Sequence, residues 1–330
     1  MSLLNFAIIG FGKMGQIRYN TLKDMPECAV TCISENDTSI AIPAGIPNIL
    51  DIDVILKDQN IHVVLICTPN QFLKDMTVKA LKAGKHVFCE KPPGRTLAEL
   101  KEMADAEQKS GKKLMFGFNH RHHESMLHAK KLIDSGEYGK LLWMRGRYGK
   151  SVEPKFFENW RSKKELAGGG IFLDQGIHML DLLLMFGKDF EEVHAFVSNL
   201  YWKLDIEDNV FAILRNKEGQ VASLHSTMTQ WRHIFSLEIF LERGYITING
   251  LKTSSNTYGD EEMSIARNRT LPPEASWTDE EKIVFHTDYS WIKELSMFVE
   301  CVRKDIPVPV GSTKDALKLM HLVEKVYAQQ

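Results

Sequence analysis

Short apolar runs alternate with amphipathic stretches over the first 120 residues of the chain. Apolar runs bounded by polar residues are typical of buried parallel strands, and apolar residues at helical spacing are typical of helices that cover a sheet. The runs predict strands at 6–9, 29–33, 63–67, 86–89 and 114–118. Helices are predicted over 17–22, from Asn70 to Ala83 and from Thr96 to near Gly111, so the pattern indicates a parallel, doubly wound α/β sheet.

After residue 120 the pattern changes, and strands come to dominate. Helices are predicted at 124–135, 174–186, 288–304 and 313–327. Alternating apolar positions predict strands near 191–202, 208–215, 221–229, 234–242 and 245–249, with a hairpin turn at 216–219. Residues 210–214 are apolar on both faces, so we expect part of this sheet to be covered on both sides.

Length and composition limit the class of protein. A chain of 330 residues exceeds one ordinary core, so we expect two domains, at 1–120 and 121–330. A net charge of −2 without a long basic run argues against a nucleic-acid partner. No apolar stretch is expected to span a bilayer, and Lys13 and glycines interrupt the apolar start, unlike a signal peptide. The five cysteines are expected to be buried thiols of a cytoplasmic protein, not disulfides or a zinc site.

A glycine-rich segment joins the first predicted strand to the first predicted helix. Gly10 allows the tight turn, Gly12 lets a pyrophosphate approach the backbone, and Gly15 lets the helix pack closely on the strand. The first N–H groups of the helix, at Lys13 and Met14, then face the phosphates. A structural glycine turn is the alternative, but the position between a strand and a helix favours a dinucleotide site.

The choice between NAD and NADP depends on the end of the second predicted strand. Glu35 lies twenty residues after Gly15, where an acid binds the ribose hydroxyls of NAD. If Ser34 faces the ribose instead, a 2′-phosphate fits there. No Arg or Lys lies between Ser34 and Pro47 to neutralise that phosphate, so we expect NAD rather than NADP.

Three titratable residues are suited to moving a proton and a hydride. Asp174 and His178 are four residues apart and therefore share one face of a helix. Lys91 follows an apolar strand, beyond whose carboxyl end ligands bind in such sheets. A neutral imidazole is suited to remove a hydroxyl proton, and an ammonium group to stabilise the resulting alkoxide. The alternatives are a core histidine, an exposed helix-start carboxylate and a solvated lysine at a strand end.

An alternative role for Asp174 and His178 is to be two ligands of a metal ion. A third ligand would have to come from His120, His122 or His123. No carboxylate–histidine set among these residues has a recognised ligand spacing, so we expect no metal.

Taken in order, these motifs resemble those of the Gfo/Idh/MocA family, which includes glucose–fructose oxidoreductase and inositol dehydrogenase. The matching segments, spread over nearly the whole chain, are 10–15, 68–70, 90–92, 117–119, 160–161, 168–170 and 174–178. The resemblance implies an NAD(P)-binding Rossmann domain followed by an α/β domain with a large, mostly antiparallel open sheet. One departure is Leu73, where relatives often carry a histidine.

The resemblance also implies an activity and a set of site residues. The activity is NAD(P)-dependent hydride transfer at a secondary alcohol of a sugar, sugar nucleotide or polyol. Catalysis is expected from Lys91, Asp174 and His178. Cofactor contacts are expected from Gly10, Gly12, Lys13, Met14, Gly15, Glu35, Thr68, Pro69, Asn70, Glu90 and Lys91. Substrate contacts are expected from Asn119, His120, Trp160, Arg161 and Gln175. The aromatic residues Trp231, Tyr289 and Trp291 are interpreted as packing residues and not as substrate contacts.

Arginines in the second half suggest an anionic group on the substrate. Arg161 follows Trp160, and Arg145 and Arg147 share one face of a strand pattern. Guanidinium groups bind phosphate or carboxylate in a bidentate way. The alternative is internal ion pairing with Glu153, Glu158 or Glu165.

Two other functions remain open at this point, and one assembly is expected. The first is a non-catalytic protein that senses NAD(P) or sugars, and the second is an NAD-dependent glycosidase that recycles its cofactor. Intact Lys91, Asp174 and His178 favour catalysis. The helices of the second half are too few to cover a sheet on both faces, so we expect a homodimer or homotetramer built on that sheet.

Overall fold

A computed structural model describes residues 3–267 and 276–329 and divides the chain into two compact units. The first unit comprises residues 1–118, 165–168 and 291–320, and the second comprises 119–164, 169–290 and 321–330. The units therefore interleave along the chain. The domain boundary predicted between residues 120 and 121 stays a prediction.

The first unit is built on a five-stranded parallel sheet in the order β2-β1-β3-β4-β5. Its strands are β1 (Leu4–Ile9), β2 (Cys28–Ser34), β3 (Val63–Ile66), β4 (His86–Glu90) and β5 (Leu114–Gly117). The helices between them are α1 (Lys13–Lys23), α2 (Ile52–Lys57), α3 (Asn70–Lys82) and α4 (Leu97–Ser110). The predicted doubly wound parallel sheet is confirmed, and only the short helix α2 was not anticipated.

The four inner residues of β1 and all of β3 are buried, as the continuous apolar runs predicted. Helix α4 begins at the N-cap Thr96, whose side chain accepts the Glu99 N–H, and ends at Gly111 with φ of 65°. A left-handed C-cap of this kind favours glycine. These caps define the residues at which α4 begins and ends, and the segments outside them are loops.

The second unit contains an eight-stranded sheet in the order β13-β12-β11-β10-β6-β9-β8-β7. Its strands are β6 (Leu141–Gly149), β7 (Glu192–Ser198), β8 (Asn209–Arg215), β9 (Val221–Thr227), β10 (Ile234–Leu241), β11 (Gly244–Asn249), β12 (Glu261–Arg267) and β13 (Glu281–Phe285). Neighbouring strands are antiparallel except β6 and β9, which run parallel. The large, mostly antiparallel sheet is confirmed, and β12 and β13 are additional to the predicted strands.

The helices of the second half are α5 (Glu124–Asp134), α6 (Lys164–Ala167), α7 (Ile177–Gly187), α8 (Ser290–Lys304) and α9 (Thr313–Tyr327). A π-helical turn, Phe172–Gly176, directly precedes α7 and was predicted as regular helix. At Gly176 a Cβ would stand 2.6 Å from the Ser226 Oγ on β9. The wide turn thus brings the backbone of this segment against the sheet, as π turns often do at functional sites.

The segment Lys164–Gly187, which contains α6, the π-helical turn and α7, has 24 residues and is long and apolar enough to cross a bilayer by length and composition. The expectation that no stretch has this length is therefore wrong. However, 83% of its most apolar window is buried inside the protein, as in the core helix of a soluble domain.

One face of the eight-stranded sheet packs inside the unit, and the other is open. Val210, Ala212 and Leu214 on β8 are buried, whereas Phe211 and Ile213 are 52% and 55% exposed. Among the described residues, the helices therefore cover one face of this strand, and the expectation that both of its faces are covered stays a prediction that concerns a second copy. We call the open face, with Trp143, Phe196, Phe211 and Ile213, the outer sheet face.

Candidate active site

The loop after β1 has the geometry of a phosphate cradle. Gly10 has φ of 87°, and a Cβ there would stand 2.8 Å from the backbone of Cys67. A Cβ at Gly15 would stand 2.2 Å from the Gly10 carbonyl oxygen, so only glycine lets α1 approach so closely. A Cβ at Gly12 would meet nothing within 4 Å, which leaves space above the first N–H groups of α1, at Lys13 and Met14. These residues fit a dinucleotide pyrophosphate.

Glu35 is fixed beside this loop at the end of β2. Its Oε2 accepts the Phe11 N–H at 2.6 Å, and its Oε1 accepts the Asp37 N–H at 2.9 Å. Ser34 is buried, and its carbonyl oxygen accepts the Gly10 N–H at 2.8 Å. Between the two candidates for a ribose contact, Glu35 is therefore the one with an accessible side chain.

The segment after β3 supplies the next edge of the first unit. The Thr68 hydroxyl is buried and has no hydrogen-bond partner among the described residues. The Asn70 side chain donates to the Ala167 carbonyl oxygen at 2.8 Å, and α3 begins after Pro69. An orphaned hydroxyl at the carboxyl end of a parallel strand is suited to a ligand of this sheet edge.

A buried charge cluster includes Glu90, the residue before Lys91. Arg18, on α1, donates through Nε to Glu90 Oε1 at 2.7 Å, and its Nη1 lies 2.7 Å from Glu294 Oε2. The guanidinium group also stacks on Phe88 and Trp291 at 4.4 and 4.8 Å from the ring centroids. Burial, reinforced by the charge of Glu90, raises the pKa of Glu294 to about 7. Glu90 thus holds the end of β4, immediately before the cis Lys91–Pro92 peptide.

In the second unit, the structure brings His178 and His120 together. Their rings stack with centroids 3.9 Å apart and an interplanar angle of 17°. His120 Nδ1 lies 3.1 Å from Asn119 Oδ1, and Nε2 lies 2.9 Å from the Tyr148 hydroxyl. Burial raises the pKa of Tyr148 well above its usual range, so the hydroxyl keeps its proton. The stack therefore holds His178 in one orientation inside a buried aromatic cluster.

Asn119 orients one ring nitrogen of His120. Asn119 Nδ2 donates to Ser290 Oγ at 3.1 Å, which leaves Asn119 Oδ1 as the acceptor toward His120 Nδ1.

Asp174 lies one turn before His178 and faces two cations. Lys150 Nζ is 3.7 Å from Asp174 Oδ2, and Arg161 Nε is 3.6 Å from Asp174 Oδ1. The Arg161 guanidinium also covers the Trp160 ring at 4.4 Å from its centroid. The Gln175 side chain reaches Asp174 Oδ2 at 3.4 Å. Of the predicted substrate residues, Arg161 and Gln175 thus lie beside Asp174, and Trp160 packs against Arg161.

Arg145 and Arg147 do not belong to this cluster. They lie on the outer sheet face, opposite Gly146 and Tyr148, and Arg145 makes a bidentate ion pair with Glu238. The suggestion that they help to bind the substrate beside Asp174 is therefore wrong. Arg145 and Arg161 do lie close to internal carboxylates, but these belong to Glu238 and Asp174 and not to the predicted partners Glu153, Glu158 or Glu165.

Within residues 3–267 and 276–329, no group of three or more His, Cys, Asp or Glu side chains is placed to hold a metal ion. His123, one of the possible third ligands, instead contacts Glu261 at 2.8 Å in a buried pair. The cysteines are free thiols, and Cys28 and Cys67 are only partly buried.

Sequence reasoning missed Tyr148, Lys150 and Glu294. Tyr148 follows from the alternation of β6, whose buried positions include Met144 and Gly146. No sequence pattern predicts the burial of Glu294, because an acidic residue on an amphipathic helix is normally predicted to be exposed. The interpretation of the aromatic residues as packing residues holds for Trp291, which packs on Arg18. It is wrong for Trp231, whose side chain is 97% exposed.

Comparison with known proteins places both units in one family. Residues 4–118 match the oxidoreductase family with an NAD-binding Rossmann fold, and residues 126–247 match the GFO/IDH/MocA C-terminal domain. Levoglucosan dehydrogenase of Pseudarthrobacter phenanthrenivorans is 30% identical over 76% of this chain and 74% of its own length. Myo-inositol 2-dehydrogenase of Thermotoga maritima is 26% identical over 96% of this chain and 93% of its own.

Solved structures agree on the fold. A levoglucosan dehydrogenase in complex with NADH and levoglucosan superimposes with a TM-score of 0.88 over 99% of this chain and 97% of that one, at 24% identity. The five-stranded parallel sheet and the eight-stranded sheet therefore form a known fold. The chain belongs to the Gfo/Idh/MocA family of oxidoreductases and carries that family's NAD-binding Rossmann domain.

Proposed function

We propose that this protein transfers a hydride between NAD and a secondary hydroxyl group of a sugar or polyol. The observation that carries the proposal is His178, which stacks on the His120 ring in a buried cluster, with Asp174 four residues earlier. An imidazole is suited to take the hydroxyl proton, because the pKa of this group ordinarily lies near neutral pH.

The three predicted catalytic residues then have separate tasks. His178 removes the hydroxyl proton, and Lys91 donates a hydrogen bond to the same oxygen and stabilises its developing negative charge. Asp174, which lies beside Lys150 and Arg161, orients the substrate hydroxyls or the imidazole. Asn119 and His120 support the imidazole, and Trp160 and Gln175 complete the surroundings of Asp174.

NAD, when bound, supplies the hydride acceptor. Gly10, Gly12, Lys13, Met14 and Gly15 would hold its pyrophosphate, and Glu35 would accept the ribose hydroxyls. Thr68, Pro69, Asn70, Glu90 and Lys91 would line the nicotinamide end. The open space at Gly12 and the orphaned Thr68 hydroxyl support this arrangement.

The relatives support the substrate class. They include dehydrogenases of levoglucosan, of myo-inositol and of D-glucosides. Purified protein should be incubated with NAD and a panel of sugars, glycosides, inositols and sugar nucleotides, and the absorbance of reduced nicotinamide should be followed. Turnover of at least one neutral or charged sugar supports the proposal, and failure of all these classes contradicts it.

We expect NAD to bind more tightly than NADP. The Glu35 carboxylate stands beside the glycine loop and would repel a 2′-phosphate, and buried Ser34 offers no alternative contact. Titration of both cofactors by tryptophan fluorescence or calorimetry measures the preference. A Glu35→Ser variant should show a smaller difference between its affinities for NAD and NADP. Tighter binding of NADP to the unaltered protein would contradict the assignment of Glu35.

An anionic substrate group is a finer proposal, which now rests on Arg161. Its guanidinium group is partly exposed beside Asp174 and is suited to bind a carboxylate or phosphate. The Arg161→Ala variant should raise KM for an acidic sugar at least ~10-fold, as expected for loss of one charged contact, and leave KM for NAD unchanged. If a neutral sugar is the best substrate and the variant handles it normally, the substrate is not anionic.

We also propose that the protein self-associates through the outer sheet face. Phe196 is 81% exposed, and Phe211 and Ile213 are more than half exposed beside it. A contiguous apolar face of this kind marks an interface, and a second copy is the partner that the family resemblance implies. We expect a dimer or tetramer by light scattering, and Phe196→Glu combined with Phe211→Glu should release monomers. A monomeric mass for the unaltered protein at micromolar concentration would refute this.

A further inference from the structure

Two neighbouring carboxylates at the start of β8 are buried inside the second unit. Glu207 is 2% exposed and Asp208 is fully buried. Buried carboxylates are costly unless hydrogen bonds satisfy them. Each of these two residues accepts backbone N–H groups, but the segments that they hold are different.

Glu207 holds the segment that carries Asp174 and His178. Its Oε2 accepts the Gly170 N–H at 2.7 Å, and its Oε1 accepts the Phe172 N–H at 3.0 Å. The Ile171 N–H donates to the Glu207 main-chain oxygen at 3.2 Å. The first N–H groups of a helical segment have no partner within it, and a carboxylate there also interacts favourably with the helix dipole.

A third side-chain contact fixes Glu207 from the opposite direction. The Tyr327 hydroxyl donates to Glu207 Oε1 at 2.9 Å. Burial, followed by the charge of Glu207, raises the pKa of Tyr327 well above its usual range. The phenol therefore remains a hydrogen-bond donor, and Glu207 is held between α9 and the start of the segment at 170–178.

The glycines of this segment are required by the same contacts. A Cβ at Gly170 would stand 2.2 Å from the Glu207 carbonyl oxygen and 2.9 Å from its nitrogen. A Cβ at Gly169 would stand 2.2 Å from the Tyr327 hydroxyl. Glycine at both positions lets the backbone reach the carboxylate, which explains the glycine pair in physical terms.

We propose that Glu207 is a positioning residue for the reaction: by holding the N–H groups of Gly170 and Phe172, it sets where the segment starts and thereby where Asp174 and His178 stand. The proposal rests on the roles given to Asp174 and His178 under the proposed function. A displacement of about 1 Å in such a segment costs on the order of 10²-fold in rate, so this anchor matters for turnover.

Asp208 offers a matched control. Its carboxylate accepts the N–H groups of Leu200, Tyr201 and Trp202 at 3.3, 2.7 and 3.0 Å, so it anchors the 200–202 loop. Asp208 is the next residue in the chain, is buried like Glu207 and uses the same chemistry. Glu207→Gln and Asp208→Asn both place an amide N–H₂ where a carboxylate oxygen accepted hydrogen bonds, and they should destabilise the protein similarly.

The experiment compares these two variants on the best substrate of the panel. Glu207→Gln should lower kcat at least ~10-fold with little change in KM for NAD, because the segment loses its geometry. Hydrogen–deuterium exchange should become faster in the peptide 169–178. Asp208→Asn should keep kcat within ~2-fold and speed exchange at 199–203 instead. Tyr327→Phe, a milder change, should lower kcat a few-fold and keeps the test available if Glu207→Gln does not fold.

Two results would overturn the proposal. One is normal kcat with unchanged exchange at 169–178 in Glu207→Gln, or in Tyr327→Phe if the former does not fold. The other is an equal loss of kcat in Glu207→Gln and Asp208→Asn, which would show a merely structural role. The His178→Ala variant separates failure of this proposal from failure of the proposed function. If His178 is not the base, His178→Ala retains turnover, whatever the result for Glu207→Gln.

Discussion

Replacing His178 with alanine is expected to lower the rate of hydride transfer at least ~10²-fold while leaving folding and NAD binding nearly intact, because the variant loses the base for the hydroxyl proton. Lys91→Ala should cause a loss of the same order, since the developing alkoxide loses its hydrogen-bond donor. Asp174→Asn should be milder if that residue only orients the imidazole. Steady-state rates on the best substrate, with NAD affinity measured separately, check all three.

Matched controls are available in the chain. His225 also stacks on a ring, with its centroid 3.9 Å from that of Phe211, but it lies on the outer sheet face. Lys101 is an exposed lysine on α4. His225→Ala and Lys101→Ala should therefore retain turnover. Normal turnover in His178→Ala or Lys91→Ala would remove that residue from the catalytic set.

Arg18→Met is expected to cause the largest loss of stability. It leaves the Glu90 and Glu294 carboxylates buried without their shared cation. Removing one partner of a buried ion pair costs about 3–5 kcal/mol, because the other charge stays uncompensated. Urea unfolding should show a much lower midpoint for this variant. Adding Glu294→Gln should recover part of the loss in alkaline buffer, where the unpaired Glu294 carboxylate would otherwise be charged.

The exposed pair Arg215–Glu192 is the control for this prediction. Both side chains are solvated, and surface ion pairs contribute little to stability. Arg215→Met should therefore leave the midpoint nearly unchanged. An unchanged midpoint in Arg18→Met as well would mean that the buried cluster does not stabilise the first unit.

Local sequence patterns predicted most of the fold because the strands of the first unit are continuous apolar runs. The glycine loop could be read in detail, since φ of 87° at Gly10 and the close approach at Gly15 both demand glycine. In each of these cases the determining residues are neighbours in the chain.

Other features depend on partners that are distant in sequence. Strand β12 was missed because its first residue, Glu261, is a buried acid whose partner His123 lies 138 residues earlier. Arg18 and Glu90 are 72 residues apart, so a buried arginine on α1 could not be anticipated. Likewise, the side of the sheet on which Arg145 and Arg147 lie was decided by the packing of α7 on β6.

The most direct test of the central claim is the transfer of hydrogen from carbon to the cofactor. The protein should be incubated with NAD and the best sugar of the panel, deuterated at all its carbon-bound positions, and both products should be weighed by mass spectrometry. We predict one deuterium on the nicotinamide for each molecule of ketone formed, and almost none with His178→Ala. Conversion of the sugar without net reduced cofactor would indicate a recycled NAD, as in a glycosidase, and binding without conversion would indicate a sensor; either result would contradict the account.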